Sequence, residues 1–435
     1  MSTPVSRMGR VGVGWAWVVA VALVGGCAGY AQKAKTVEGQ LASGQYAQAL
    51  SLLDAQNGHD TTDVLYDLNR GTVLHLMAAY ADSNASFEDA KREMEALYGV
   101  SVTEQAGAIT VNESLIRYKG DPYEQLLVHA YKILNYLALG TPDEARVEVL
   151  QADLKMTTVG GDAYGENGYV RYLCGMVYEG LGELDSAYID YRKAYEYYRS
   201  NPVGLAVPES LKRDLVRLAS LQKRREDLRE YRQEFGDLGE VAGAETEGPE
   251  LIVLLNGELV PLKQEHAVSV IDPKRGQFVS LALPHYADFA PTIRGVRVTV
   301  GGQTLDADKV EDVAAQARLA LDEMMPVITA RALARVTLKT QASREAKSQN
   351  EMLGMLINLA ATFTERADTR SWSTLPANIW LARVPVTAGE HQLRVELLGR
   401  SGEVLASLDR TVGAEARSRT IESMRWIPAG ARARP

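Results

Sequence analysis

The chain has 435 residues, of which 46% are hydrophobic and 24% charged, and its formal net charge is −9. This length accommodates two or three domains, and the composition is that of a globular protein that can bury a core. The negative charge argues against nucleic acid as a partner, because binding phosphates requires a concentrated basic surface. Since there are only two cysteines and the six histidines are scattered, the sequence predicts no disulfide framework, no metal site and no cofactor.

Residues 1–26 have the layout of an export signal. Arg7 and Arg10 precede an uninterrupted run of apolar residues and glycine over residues 11–24. This run of roughly 14 residues is shorter than the roughly 20 of a membrane-spanning helix and suits the apolar core of a signal peptide. Two other interpretations are an uncleaved signal anchor and a first helix in which Cys27 is simply a packed thiol.

The sequence VGGC at residues 24–27 resembles the lipobox of bacterial lipoproteins. The resemblance implies that the signal is cut before Cys27, which carries a diacylglycerol on its sulfur and an acyl chain on its new amino group. Several acyl chains, at about 0.8 kcal/mol per buried CH₂, anchor a protein durably where one chain does not. Ala28 follows in place of the aspartate associated with retention in the inner membrane. By resemblance, the mature chain is therefore lipid-anchored in the outer membrane and faces the periplasm.

Residues 27–235 are predicted to form a helical repeat domain. The clearest unit, at residues 172–202, resembles a tetratricopeptide (TPR) repeat, a helix–turn–helix of about 34 residues. In such a unit small residues let the paired helices approach, and a large aromatic side chain fills the space beside them. The predicted packing residues are Gly175, Tyr178, Gly182, Ala187, Tyr191 and Ala194.

Three weaker copies precede this unit, at residues 44–53, 86–97 and 133–152, where Ala49, Ala90 and Ala145 occupy matching places. Together they favour an α-solenoid, which a long charged helix over residues 208–235 would cap. Four tyrosines fall on one helical stripe and indicate either the solenoid core or an aromatic ligand surface. They are Tyr188, Tyr191, Tyr195 and Tyr198. Cys174 is predicted to be an inert packed thiol.

Residues 236–250 are acidic and glycine-rich, which predicts a linker before an α+β domain at residues 251–423. Asn256-Gly257 predicts a hairpin turn, and strand patterns continue to about residue 305. A helical stretch follows over residues 307–366, where Pro326 should end or kink the first helix. Its apolar end, at residues 350–368, is either core or a groove for a partner helix. Strand patterns return at residues 377–412, which predicts an antiparallel sheet or a sandwich with inserted helices.

Three residues of the connection before these last strands could contact a ligand or partner, namely Asp368, Arg370 and Trp372. An Asp–Arg pair with a tryptophan anchor equally suits a structural corner. The last stretch, residues 424–435, has Arg425 beside Trp426 and is predicted to be a basic tail that touches a surface or is loose.

Residues 133–149, 250–263, 279–286 and 367–397 together resemble a family of bacterial TPR-containing lipoproteins of unassigned activity. The chain is more loosely similar to outer-membrane lipoproteins that activate peptidoglycan synthases, although it lacks the alternating β-α pattern of their second domain. The resemblance implies a helical-repeat lipoprotein and attaches no catalytic residues to it.

Three functions remain open on the sequence. The favoured one is a non-enzymatic adaptor or scaffold that is anchored through Cys27 and binds an envelope protein or peptide on its helical repeat. The second is a stable structural subunit of an envelope assembly or secretion complex. The third is an envelope glycan or peptide hydrolase with paired carboxylates. The chain has no G-x-S-x-G or H-E-x-x-H motif that would favour the third.

Overall fold

The computed structural model describes residues 26–56, 63–98, 117–159, 165–236, 248–271, 278–349, 366–415 and 419–428. Nearly all of the predicted signal sequence, most of the predicted linker and the apolar segment at residues 350–365 lie outside the described residues. The described chain is mixed helix and sheet, as the sequence predicts, with helices first and strands after residue 250.

The first half consists of helices that follow one another in short-linked pairs. Three of the tight turns contain a glycine with positive φ, namely Gly44, Gly140 and Gly182. A side chain would be strained in this left-handed conformation, which is why glycine ends the preceding helix. The helices are α1 (Gly26–Ala42), α2 (Tyr46–Gln56), α3 (Val64–Leu76), α4 (Tyr80–Tyr98), α5 (Pro122–Ala138), α6 (Pro142–Val159), α7 (Gly168–Gly180), α8 (Leu184–Ser200), α9 (Glu209–Leu221) and α10 (Arg225–Phe235).

The long charged helix expected over residues 208–235 is in fact two helices, α9 and α10. The break falls at residues 222–224, where Lys223 has φ +56°. Arg224 N donates to Ala219 O at 2.8 Å and closes the turn. Charge patterning alone does not reveal this break, because the sequence there contains neither glycine nor proline.

The second half contains ten strands and one long helix within the described residues. Two four-stranded sheets have the orders β10-β1-β7-β6 and β5-β4-β8-β9, and β2 pairs with β3 alone. The elements are β1 (Glu250–Gly257), β2 (Lys263–Ile271), β3 (Phe278–Tyr286), β4 (Gly295–Val300), β5 (Gln303–Asp306), β6 (Asp308–Glu311), α11 (Val313–Gln349), β7 (Asn378–Pro385), β8 (Gly389–Leu398), β9 (Val404–Ala414) and β10 (Arg419–Trp426).

The hairpin predicted at Asn256-Gly257 does not form. Both residues lie inside β1, which pairs in parallel with β10 and antiparallel with β7. The first sheet is therefore mixed, where a purely antiparallel one was expected. Asn256 Nδ2 donates to Ser423 Oγ at 3.1 Å, so a tertiary contact occupies the amide that would favour a turn.

Strand β1 is buried on both faces, which explains its continuous apolar sequence. Leu251, Val253 and Leu255 share a core with β4 and β8 of the second sheet. Ile252 and Leu254 share another core with the helices of the first half. The β10-β1-β7-β6 sheet is thus covered on one face by helices and on the other by the second sheet.

The sequence predicted that Pro326 would end or kink the helix. Helix α11 continues through Pro326, so the proline does not end it, while a kink at this point stays a prediction. The expected start at residue 307 is also wrong, since β6 occupies residues 308–311 and the helix begins at Val313. A proline is unfavourable inside a helix but does not forbid it where the surrounding structure supports the helix.

Candidate functional site: the joint between helices and sheet

The TPR-like unit α7–α8 is held by the close approach of its two helices. A Cβ atom at Gly175 would lie only 2.3 Å from the ring of Tyr191. Ala187 and Ala194 are completely buried on α8, and Tyr178 is 7% exposed. Gly182 forms the turn, with φ +78°. Gly175, Ala187 and Tyr191 therefore lie together where α7 contacts α8.

The tyrosine stripe of α8 lies inside the molecule. Tyr188, Tyr191, Tyr195 and Tyr198 are between 0% and 6% exposed. The sequence left open whether these tyrosines belong to the core or to an aromatic ligand surface, and their burial supports the core. Cys174 is also buried, and burial raises the pKa of its thiol well above the usual value, so this thiol is unreactive.

The connection at residues 367–377 is an irregular segment with a turn at residues 373–374, and it makes contacts with the helices of the first half. Its centre, Trp372, is fully buried, and its ring packs 5.6 Å from the rings of both Phe87 and Tyr131. Trp372 Nε1 donates to Thr72 Oγ1 at 2.9 Å. Asn69 Oδ1 accepts from the backbone N–H of Thr374 at 3.1 Å. The helices α3, α4 and α5 thus all contact this segment.

Asp368 and Arg370, at the start of the same segment, bind each other. Arg370 Nη2 lies 2.8 Å from Asp368 Oδ2, and both side chains are partly exposed. The guanidinium of Arg370 also stands 5.6 Å from the ring centroid of Tyr118. This arrangement is the structural corner that the sequence left open, while a contact of this pair with a partner stays a prediction.

Glu124 of α5 is the acceptor that receives the segment. It is fully buried and accepts from the backbone N–H groups of Trp372 and Asp121, both at 2.8 Å. Burial, helped by the nearby carboxylate of Asp121, raises the pKa of Glu124. Lys263 of β2 pairs with Asp121 at 3.0 Å, so the second half contributes a cation at this point.

A second set of contacts joins the sheet to α7 and α9 through Arg383. This arginine lies on the face of β7 that also carries Ile379 and Leu381 and is turned towards the helices. Its guanidinium pairs with Asp214 at 2.5 Å and with Glu179 at 3.4 Å. Its side chain is only 6% exposed, so these pairs are shielded from water.

Three arginine side chains form ion pairs with Glu179. Arg217 lies 2.5 Å from it, Arg419 lies 2.8 Å from it, and Arg383 is the third. Although burial alone raises the pKa of Glu179, the three guanidinium groups lower it to about 2. Its charge is therefore held inside the fold by arginines of both halves. We call the contacts of the Trp372 segment and of Arg383 together the joint.

Arg425 is a buried cation of a different kind. Its Nη2 donates to Thr374 O at 3.2 Å. Its Nε and Nη1 are buried without a hydrogen-bond partner among the described residues. Burial lowers the pKa of this guanidinium. The residue belongs to β10, which runs to Trp426 and so covers the beginning of the stretch predicted as a tail.

The residues that form the joint were mostly missed by sequence reasoning. Arg383 lies in an otherwise apolar strand, and Glu179 ends an apolar helix. An isolated charge in a buried segment is a usable signal, because such charges are almost always paired. The signal does not identify the partner, which here is more than 200 residues away along the chain.

The predicted lipidation site, Cys27, is described only in its backbone. Cys27 lies in the first turn of α1, and its side chain is outside the described residues. Among the described residues no three His, Cys, Asp or Glu side chains are grouped as metal ligands. No described helix has the length and apolar character needed to cross a membrane.

Comparisons with known proteins found no matching family model and no matching curated protein. Among solved structures, MamA (residues 41 to the end) from Desulfovibrio magneticus RS-1 is 15% identical, over 48% of this chain and 94% of that one, with a TM-score of 0.30. MamA of AMB-1 is 16% identical over 49% and 93%, with a TM-score of 0.31. Pseudomonas aeruginosa PilF is 14% identical over 51% and 93%, with a TM-score of 0.23. Likenesses this low assign neither a family nor a function.

Proposed function

We propose that this chain is a lipid-anchored adaptor or scaffold of the cell envelope that binds a protein partner on a TPR-like helical repeat and performs no catalysis. The observation that carries the proposal is an exposed apolar surface on the outer side of α6 and α8. Large apolar side chains that are exposed together commonly mark a surface for protein–protein contact.

This surface is formed by three side chains. Val147 and Leu150, three positions apart on one face of α6, are 52% and 47% exposed, and Ile189 of α8 is 52% exposed. Two ion pairs set α8 beside α6, Arg146–Glu183 at 2.6 Å and Lys193–Asp153 at 3.1 Å. Ile189 lies one turn before Lys193, and Leu150 lies one turn before Asp153. The three apolar side chains therefore belong to one surface.

The opposite possibility, a partner held by α3, α4 and α5, is less favourable. Those helices already hold the Trp372 segment, whose central side chain is completely buried. A partner would have to displace it and lose the hydrogen bonds to Thr72 and Glu124. The outer surface of α6 and α8 needs no such exchange.

The anchor is proposed from the lipobox resemblance at residues 24–27. With Cys27 acylated and Ala28 after it, the mature chain would be held at the outer membrane and present α6 and α8 to the periplasm. Such tethering supports an adaptor, because it raises the effective concentration of the surface for a partner at the same membrane.

The test is site-specific photo-crosslinking in intact cells with a photoreactive residue at position 147. We expect one dominant crosslinked partner, whose yield falls strongly when Leu150→Glu and Ile189→Glu are introduced. Val404→Glu is the matched control, since Val404 is 52% exposed on the other half of the chain. The α6–α8 surface would be rejected as the contact if crosslinking were equal in the wild type, in the Leu150→Glu, Ile189→Glu variant and in the Val404→Glu control. Absence of crosslinking in the wild type would reject it as well.

A further inference from the structure

Two histidines that are 19 residues apart in the sequence meet on the β2–β3 hairpin. His285 lies opposite Gln264, and His266 lies opposite Leu283. Side chains two residues apart on a strand share a face, so both imidazoles lie on the same side of the hairpin. Their ring centroids are 5.4 Å apart, with the ring planes at 66°.

One of the two rings has its proton position fixed by the backbone. His285 Nδ1 lies 3.2 Å from the carbonyl oxygen of Gln264, which can only accept a hydrogen bond. Nδ1 of the neutral ring therefore carries the proton, and the lone pair is left on Nε2. Histidines that bind metals usually have this arrangement, in which a carbonyl holds the other ring nitrogen.

The distance between the rings fits a shared metal ion. A zinc–nitrogen bond of about 2.1 Å places the centre of an imidazole ring about 3.2 Å from the metal. Two rings at a tetrahedral angle then have centroids about 5 Å apart, close to the observed separation. His266 is exposed, so its ring is free to turn its nitrogen towards the same point.

We propose that His266 and His285 form a binding site for one divalent transition-metal ion, of the zinc, nickel and copper class that imidazole favours. The pair supplies two ligands, and no described residues complete a group of three. The remaining coordination positions therefore belong to water or to a ligand from outside the described chain. The site is independent of the α6–α8 surface and of the lipid anchor.

The test is a calorimetric titration of the full chain, purified in detergent, with Zn²⁺ and separately with Cu²⁺. We expect saturable binding of one ion per chain at this site, tighter for Cu²⁺ than for Zn²⁺. His266→Ala and His285→Ala should each weaken it by at least about tenfold. His391→Ala is the matched control, because His391 lies on β8 and pairs with Thr387 O.

A spectroscopic readout separates ligation from a change of fold. Electron paramagnetic resonance of bound Cu²⁺ should show two imidazole nitrogens in the wild type and one in either variant. The thermal midpoints should stay unchanged, since His266 is exposed and His285 only partly buried. Binding in the His266→Ala,His285→Ala double variant that equals the wild type, or no saturable binding at all, would overturn the proposal.

Discussion

Gly175 shows how a single missing methyl group sets the distance between two helices. Replacement by alanine would bring Cβ within 2.3 Å of the Tyr191 ring, which is itself fully buried and hydrogen-bonded to Glu179. We expect Gly175→Ala to lower the free energy of unfolding by about 1–3 kcal/mol, because the overpacked helices must separate. Chemical denaturation monitored by circular dichroism measures the change.

The matched control is Gly39→Ala in α1. No atom lies within 4 Å of a Cβ at Gly39, and the backbone there is helical. Alanine favours the helix over glycine by up to about 1 kcal/mol, so this variant should be as stable as the wild type or slightly more so. If Gly175→Ala and Gly39→Ala changed the free energy of unfolding in the same direction, close packing at Gly175 would not explain the effect of its replacement.

The lipobox interpretation assigns a chemical role to Cys27 alone. Cys27→Ser should abolish incorporation of labelled palmitate and leave an uncut precursor that still carries its signal segment. Cys174→Ser should remain lipidated, because Cys174 is buried inside α7. Palmitate labelling with membrane fractionation measures both, and labelling of the Cys27→Ser chain would disprove the assignment.

Two buried arginines should respond oppositely to replacement by methionine. Arg383→Met removes one of the two arginines that pair with both Asp214 and Glu179, the other being Arg217, and should cost up to about 3–5 kcal/mol of stability. Arg425→Met removes a guanidinium with two unbonded nitrogens and should be neutral or gain about 1–3 kcal/mol. Urea unfolding of the two variants provides the comparison, and equal losses would contradict the described burial of Arg425.

At the residue scale, the sequence predicts local packing and misses distant pairing. Gly175, Tyr191 and Ala187 follow from helical spacing, because their contact involves two neighbouring helices. The pairing of Arg383 with Glu179 depends on how the sheet docks on the helices, which no spacing encodes. For Trp372 the residue type indicates an anchor, while its partners Thr72 and Glu124 come from the fold.

At the scale of elements, the Trp372 segment is what holds the helices against the sheet. Trp372→Ala removes the ring that packs against the stacked rings of Phe87 and Tyr131 and leaves a cavity, so we expect a loss of about 3–5 kcal/mol. Limited proteolysis should then cut within residues 366–377 at protease concentrations that leave the wild type intact. Arg370→Ala is the control, because its partly exposed pair with Asp368 contributes at most about 1 kcal/mol.

The sequence predicts well those strands that pair with the next strand along the chain. The β8–β9 hairpin follows from alternation and from the glycine turn between its strands, since each strand pairs with its neighbour along the chain. Strand β10 was missed because its partner β1 is a distant parallel strand and its own pattern is irregular. Strand β6 was assigned to a helix because four residues are too few to show a period.

At the scale of the whole molecule, buried carboxyl groups make stability depend on pH. Burial raises the pKa of Glu311 to about 7 from an ordinary 4.5, and Glu124 shifts in the same direction. A raised pKa means that the folded state holds the proton longer than the unfolded state. Stability is then greatest near pH 4.5 and falls as the pH rises towards 7, by about 1–3 kcal/mol per group.

At acidic pH the ionisation of Glu179 has the opposite effect on stability. Its pKa is lowered to about 2, so its contribution is present above pH 4.5 and is lost as the pH falls towards 2. We therefore expect the thermal midpoint to be higher at pH 5 than at pH 8, with a further fall below pH 4. Glu311→Gln should flatten the slope between pH 5 and 8, as measured by differential scanning fluorimetry. A wild-type midpoint that rises from pH 5 to pH 8 would contradict this assignment.

The pairing of β1 with β10 has a consequence for the order in which the chain is made. Asn256 and Ser423 are 167 residues apart, yet their strands lie side by side, β10 being the edge strand next to the buried β1. A ribosome or an export channel releases β1 long before β10. The edge of β1 that pairs with β10 therefore stays unpaired until residues 419–426 have been released. Premature stop codons before residue 419 should therefore yield chains that chaperones retain or proteases remove, even though the helical half is complete.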